Sequence, residues 1–234
     1  MKPQNDEAII QQFGGVIFDL DGTLINTLPD IMAALNRVMI EEGFEEISPD
    51  QGRTLIGGGA YNLIEKAFST HGAGHSAGKI ETAFSKFLAY YDEKPAARSN
   101  LYPGVMECLE TLTKYRVKMG ICTNKPIDLT RKIIACMGIA EYFGGSVLGG
   151  DSLNCRKPDP RHLLEVIKLM GIPEHTALMV GDSETDVQTA RNAGIPVVAV
   201  DYGYTALHPR DLGSDLLISC MRTLPFAKLG LGLR

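Results

Sequence analysis

Val16-Ile17-Phe18 restricts the fold more than any other stretch, because three consecutive apolar residues lead straight into Asp19-Leu20-Asp21-Gly22-Thr23-Leu24. So short and uniformly apolar a run predicts a strand buried on both faces. Asp21-Gly22 is a turn signal, which places two carboxylates where the strand stops. In open α/β sheets that carboxyl edge is where ligands bind. Residues two apart in extended chain point the same way, so Asp19 and Asp21 face one centre. An Asp-x-Asp pair taken alone is equally well an acidic turn, and the rest of the chain has to decide.

Between 25 and 97 the pattern is helical and no strand is predicted. Ile31, Leu35, Val38 and Met39 make the stripe of a helix over 28–43, with Thr27 as its expected N-cap. A loop carrying Ser48-Pro49-Asp50 and then Gly57-Gly58-Gly59 follows. Two further stripes come from Leu63, Ile64, Ala67 and Phe68, and from Phe84, Phe87, Leu88 and Tyr91. From Tyr102 the pattern changes to short apolar runs alternating with helices. Strands are predicted over 117–122, 146–148, 177–180, 196–200 and 216–218, and helices after Pro103-Gly104, over 128–137, after Asp159-Pro160 and over 184–193. Such alternation predicts βαβ units and a parallel sheet. The expected division is an α/β core from 1–26 and 98–234, interrupted by a small helical module over 27–97.

A length of 234 residues suits one domain carrying such an insertion. The net charge of −5 provides no basic excess for non-specific binding to nucleic acid or an anionic membrane. The five cysteines are odd in number and scattered, which predicts reduced thiols rather than a disulfide framework. No signal peptide or membrane-spanning run is found, so a cytoplasmic protein, monomer or homodimer, is expected.

Three more predicted strand or loop ends carry polar groups to the same edge. They are Thr123-Asn124-Lys125, Arg156-Lys157-Pro158 and Gly181-Asp182-Ser183-Glu184-Thr185-Asp186. Singly, a turn hydroxyl, a solvated lysine and a helix cap explain them. Their order is harder to explain: an acidic pair, a hydroxyl, a lysine and a second acidic pair, each at a strand end. On these residues the chain resembles the haloacid dehalogenase superfamily. Leu101-Tyr102-Pro103-Gly104-Val105, Thr123-Asn124-Lys125-Pro126, Ala190-Arg191-Asn192-Ala193-Gly194 and Asp201-Tyr202-Gly203-Tyr204 are similar to the bacterial phosphoglycolate phosphatases within it.

The resemblance implies a Rossmann-like core under a helical cap and a phosphatase of small phosphomonoesters, most specifically 2-phosphoglycolate. A phosphomutase shares the same core motifs, and a non-catalytic phospho-ligand binder shares the fold. Under the enzymatic reading Asp19 is the nucleophile that forms an aspartyl-phosphate, and Asp21 is the general acid and then the base. Thr123 and Lys157 hold the phosphoryl group and offset its charge. Mg²⁺ suits a site of carboxylate and phosphate oxygens. Its implied ligands are Asp19, Asp182 and the backbone carbonyl of Asp21, with Asp186 in or near the coordination sphere. Substrate contacts are expected from Thr123, Asn124, Lys157, Arg53 and Gly58. Arg53 and Lys125 are the candidates for pairing with a substrate carboxylate. The chain departs from the family at Asn26, where an aspartate is usual; an amide there still hydrogen-bonds but carries no charge.

Overall fold

The computed structural model describes residues 8–56, 58–72 and 76–229. It begins with a short helix, α1 (Ile9–Gln12), and strand β1 (Gly15–Phe18), whose four residues are all buried. There follow β2 (Ile25–Asn26), α2 (Leu28–Glu41), α3 (Pro49–Leu55), α4 (Ala60–Ser69), α5 (Ala77–Glu93) and β3 (Asn100–Leu101). The remainder alternates through α6 (Val105–Lys114), β4 (Lys118–Cys122), α7 (Ile127–Cys136) and β5 (Val147–Leu148). It ends with α8 (Pro160–Met170), β6 (Ala177–Gly181), α9 (Glu184–Ala193), β7 (Val197–Val200) and β8 (Leu216–Ile218).

Six strands form one parallel sheet in the order β5-β4-β1-β6-β7-β8. Both faces of β1 are covered: Val16 and Phe18 pack into one core cluster and Ile17 into the other. That double burial is why the strand is apolar throughout rather than alternating. Phe18 alone, fully buried, contributes about 1.5–3 kcal/mol of apolar transfer. The chain steps outward from β1 to β4 and β5, then returns to lay β6 on the other side of β1. This reversal is a topological switch point, and it opens a crevice at the carboxyl ends of β1 and β6. Phe18 stands opposite both Ile121 and Val180, so Asp19, Thr123 and Asp182 leave the sheet at nearly one level.

The fold class is the expected one, and the strand and helix boundaries after Tyr102 agree with the sequence reading to within about two residues. Three features differ before it. The stretch read as a loop around Ser48 contains α3, which opens with a capping box: Ser48 accepts from the Gln51 N–H, and the Gln51 side chain accepts from the Ser48 N–H. Ile25–Asn26 and Asn100–Leu101, absent from the prediction, pair as antiparallel β2 and β3. Thr27 has helical backbone angles and makes no cap; its hydroxyl donates instead to Asp21 Oδ1 at 2.6 Å. Helices α2 to α5 pack on one another over the strand edge, α2 against α5 and α3, and α4 against α5 and α3. No helix among the described residues is long and apolar enough to cross a membrane.

Candidate active site

Asp19 directly follows β1, and its N–H extends the ladder to the Val180 carbonyl at 2.9 Å. The chain then turns through Gly22 at φ +86°, a left-handed conformation that favours glycine. Space demands glycine as well, since a Cβ there would fall 2.3 Å from Asp182 Oδ2. The same turn aims Thr23, whose hydroxyl donates to Asp182 Oδ1 at 3.1 Å. The other Asp182 oxygen accepts from the Tyr204 N–H at 2.7 Å.

Asp19, Asp182 and Asp186 converge, with one oxygen from each lying within 4.8 Å of the others. A single ammonium answers them: Lys157 Nζ is 2.8 Å from Asp19 Oδ1 and 2.6 Å from Asp186 Oδ1. The second Asp186 oxygen accepts from the Asp182 N–H, the Ser183 N–H and the Ser183 hydroxyl at 3.2, 3.1 and 2.6 Å. Three buried carboxylates against one buried cation leave negative charge in excess. Burial, opposed by Lys157, pushes the Asp19 carboxyl up to about 6. Burial, with the charges of Asp186 and Asp19, pushes Asp182 well above the usual carboxylate range. Although burial works against its charge, Lys157 is held above its ordinary value by Asp186 and Asp19. Asp19 Oδ1 is buried, with the Lys157 ammonium as its partner at 2.8 Å. Three converging carboxylates with one ammonium among them fit a hard cation.

Asp21 faces the opposite side of the same crevice. Lys125 Nζ donates to its two oxygens at 2.9 and 3.0 Å, alongside the Thr27 hydroxyl. Thr123 is buried and its hydroxyl oxygen accepts from the Lys125 N–H at 3.2 Å. Asn124 donates to the Lys157 carbonyl at 3.1 Å, while its own side-chain oxygen is buried without a partner. A cavity of about 60 Å³ lies between these groups and the helical layer. Asp19, Asp21, Thr123, Asn124, Lys125, Lys157 and Ser183 line one wall; Ile31, Ile56, Leu63, Phe87 and Tyr91 line the other.

Thus the structure brings Asp19, Asp21, Thr123, Asn124 and Lys157 to one cavity, with Asp182 and Asp186 beside it. Two residues expected at the substrate, Arg53 and Gly58, are not among those lining the cavity. Arg53 is exposed near the end of α3 and does not line the cavity. Gly58 does not line it either, being packed at Asn62; its neighbour Gly59 does, and Gly57 lies outside the described residues. The sequence reading missed Thr23, Ser183, Tyr204 and Tyr91. Ser183 was detectable, because Ser-x-x-Asp at a helix start resembles a capping box. Asn26, at the unusual position, accepts from the Tyr204 hydroxyl at 2.8 Å, and that hydroxyl in turn accepts from the Leu28 N–H. A neutral amide therefore suffices as its acceptor.

Comparison with known proteins identifies the family. Residues 16–200 match the family model described as haloacid dehalogenase-like hydrolase. The chain is 39% identical over 204 residues to a phosphoglycolate phosphatase of Mesorhizobium japonicum, covering 87% of this chain and 89% of that one. A Rhodospirillum rubrum phosphoglycolate phosphatase is likewise 39% identical, over 203 residues, with 85% and 84% covered. Among solved structures, a predicted phosphoglycolate phosphatase from Haemophilus somnus superposes with a TM-score of 0.85 at 31% identity, covering 91% and 96% of the two chains. With this match spanning the motifs that build the cavity, the chain belongs to the haloacid dehalogenase-like hydrolases.

Proposed function

We propose that the protein is a Mg²⁺-dependent phosphatase that hydrolyses 2-phosphoglycolate through an aspartyl-phosphate on Asp19. The observation that carries the reading is the set Asp19, Asp21, Thr123 and Lys157 around one cavity, in a chain similar to phosphoglycolate phosphatases along most of its length. Asp19 attacks phosphorus as a carboxylate, and the ester P–O bond breaks. Asp21 gives its proton to the departing alkoxide, then takes one from the water that cleaves the aspartyl-phosphate. Thr123 and Lys157 hold the phosphoryl oxygens, Lys157 bringing positive charge to a water-poor site. Asp19, Asp182 and the Asp21 backbone carbonyl would hold Mg²⁺, with Asp186 beside them, its oxygens shared with Lys157 and the Ser183 turn. When bound, that ion neutralises charge on the nucleophile and the phosphoryl oxygens.

We take residues 27–97 as the cap, joined to the core through the β2–β3 pair. Its apolar wall excludes water from the reacting centre, and the small cavity supports a small substrate. The test is a panel of phosphorylated metabolites assayed with Mg²⁺ for kcat/KM. 2-Phosphoglycolate is expected to lead; a sugar phosphate better by tenfold or more would remove the substrate assignment and leave only the phosphatase.

A further inference from the structure

One corner of the cavity is not used by phosphoryl chemistry. The Lys125 side chain is almost wholly buried, yet it lines the cavity. An ammonium has three donors, and Asp21 takes two of them. Beyond Nζ lies the face of Tyr91, whose ring centroid is 4.5 Å away. Tyr91 comes from α5, on the opposite wall, and is 2% exposed. Its hydroxyl is buried beside the Thr27 hydroxyl, which donates to Asp21, and forms no close hydrogen bond of its own. A weakly held hydroxyl beside a buried cation with a donor to spare marks a place for an anionic acceptor.

The backbone at Lys125 is fixed, so only the side chain has freedom. Its N–H is held by Thr123 and its carbonyl accepts from the Gly150 N–H at 2.8 Å. Gly149 packs so closely that a Cβ there would fall 2.6 Å from that carbonyl oxygen. The cavity's other cation, Lys157, already faces two carboxylates.

We propose that Lys125 Nζ and the Tyr91 hydroxyl form a subsite for a carboxylate on the carbon next to the phosphate ester, and so select 2-phospho acids. The inference rests on the phosphatase reading, because it needs Asp21 at the ester oxygen. In a 2-phospho acid the carboxylate carbon is two bonds from that oxygen. Ordinary bond lengths then place a carboxylate oxygen roughly 3 Å from the ester oxygen. A cation hydrogen-bonded to Asp21 therefore sits within one hydrogen bond of the substrate carboxylate. A carboxylate one carbon further along the substrate overshoots the pair. Tyr91, already 4.5 Å from Nζ on the facing wall, offers its hydroxyl to the same group, so the carboxylate bridges both walls.

The experiment compares kcat/KM for 2-phosphoglycolate and for ethyl phosphate, which lacks the carboxylate, in wild type, Lys125→Met and Tyr91→Phe, all with Mg²⁺. Wild type is expected to prefer 2-phosphoglycolate. Lys125→Met should shrink the preference by roughly 10- to 100-fold, the range for a hydrogen bond to a charged group, and Tyr91→Phe by roughly fivefold. If Lys125 only orients Asp21, both substrates fall equally and the ratio survives; that overturns the subsite. Tyr91→Phe keeps the ring and its packing, so an unchanged ratio there removes the tyrosine's part even if Lys125→Met folds poorly. A wild-type enzyme with no preference for 2-phosphoglycolate would instead overturn the substrate reading itself.

Discussion

The two walls of the cavity are built on opposite principles. On the core wall most side chains are polar or charged and held by hydrogen bonds: Asp186 by the Ser183 turn, Asp182 by the Tyr204 N–H and the Thr23 hydroxyl, Lys125 by Asp21. On the cap wall Ile31, Ile56, Leu63 and Phe87 present hydrocarbon, and Tyr91 adds the one hydroxyl among them. A wall dense in fixed charge can stabilise developing charge without reorganising. A greasy wall can only dry the space and shape it. The contrast assigns the reacting groups to the sheet edge and dryness and shape to the cap, and variants on either side should separate the two.

The largest effect falls on the core wall. Asp19→Asn keeps the shape but cannot attack, and kcat should drop by roughly 10⁴-fold or more with an unchanged circular dichroism spectrum. Asp21→Asn should cost roughly 10²–10⁴-fold, less for aryl phosphates whose leaving groups need no proton. Equal losses for aryl and alkyl phosphates would make Asp21 structural and blur the contrast.

Lys157→Met tests how far the core wall depends on its single answering charge. It strands Asp19 and Asp186 without a cation, and breaking such a buried pair costs about 3–5 kcal/mol. The denaturant midpoint measured in EDTA should fall accordingly, and Mg²⁺ should restore part of the loss if the acidic trio binds it. A midpoint indifferent to both changes would show that the trio is not strained by its own charge.

Behind the core wall, His162 is fully buried between Cys122 Sγ at 3.5 Å and the Gly149 carbonyl at 3.0 Å. A carbonyl only accepts, so Nε2 carries the proton in the neutral ring. Burial, then the nearby Lys157 charge, lowers its pKa from 6.5 to about 4. The unfolded chain thus binds a proton that the folded one refuses between those values. Stability is complete above pH about 6.5 and falls towards pH 4, by about 3 kcal/mol in all. Urea titrations across that window should show the loss in wild type and a flatter profile in His162→Gln.

The smallest effect belongs to the cap. Ile56→Val removes one methylene from the apolar wall and should change kcat/KM for every substrate by at most about tenfold. The ratio between aryl and alkyl phosphates should hold. A changed ratio would mean that the cap takes part in leaving-group chemistry.

The same division governs what the sequence disclosed. The core site was legible because its residues sit at strand ends, where local signals are strong: an apolar run, then Asp-Gly, or a strand, then a capped helix. Asp19, Thr123 and Asp182 needed only strand register to meet. The β2–β3 pair was hidden because two residues at 25–26 pair with two at 100–101, and no local pattern announces so distant a partner. Thr27 stands where a cap belongs, yet the Asp21 carboxylate claims its hydroxyl. Arg53 was chosen for its chemistry rather than its place, and α3 carries it to the surface. Tyr91 reads as one more member of a helical stripe; only packing reveals that its ring lies against the Lys125 ammonium.

The claim beneath all of this is that Asp19 becomes covalently phosphorylated. Enzyme mixed with 2-phosphoglycolate and Mg²⁺, quenched in acid within the first turnover and digested, should yield a phosphoryl group on the peptide that contains Asp19. Asp19→Asn should yield none. Recovery of the label on another residue, or full turnover with no trapped phosphoryl-enzyme and no burst, would contradict the account.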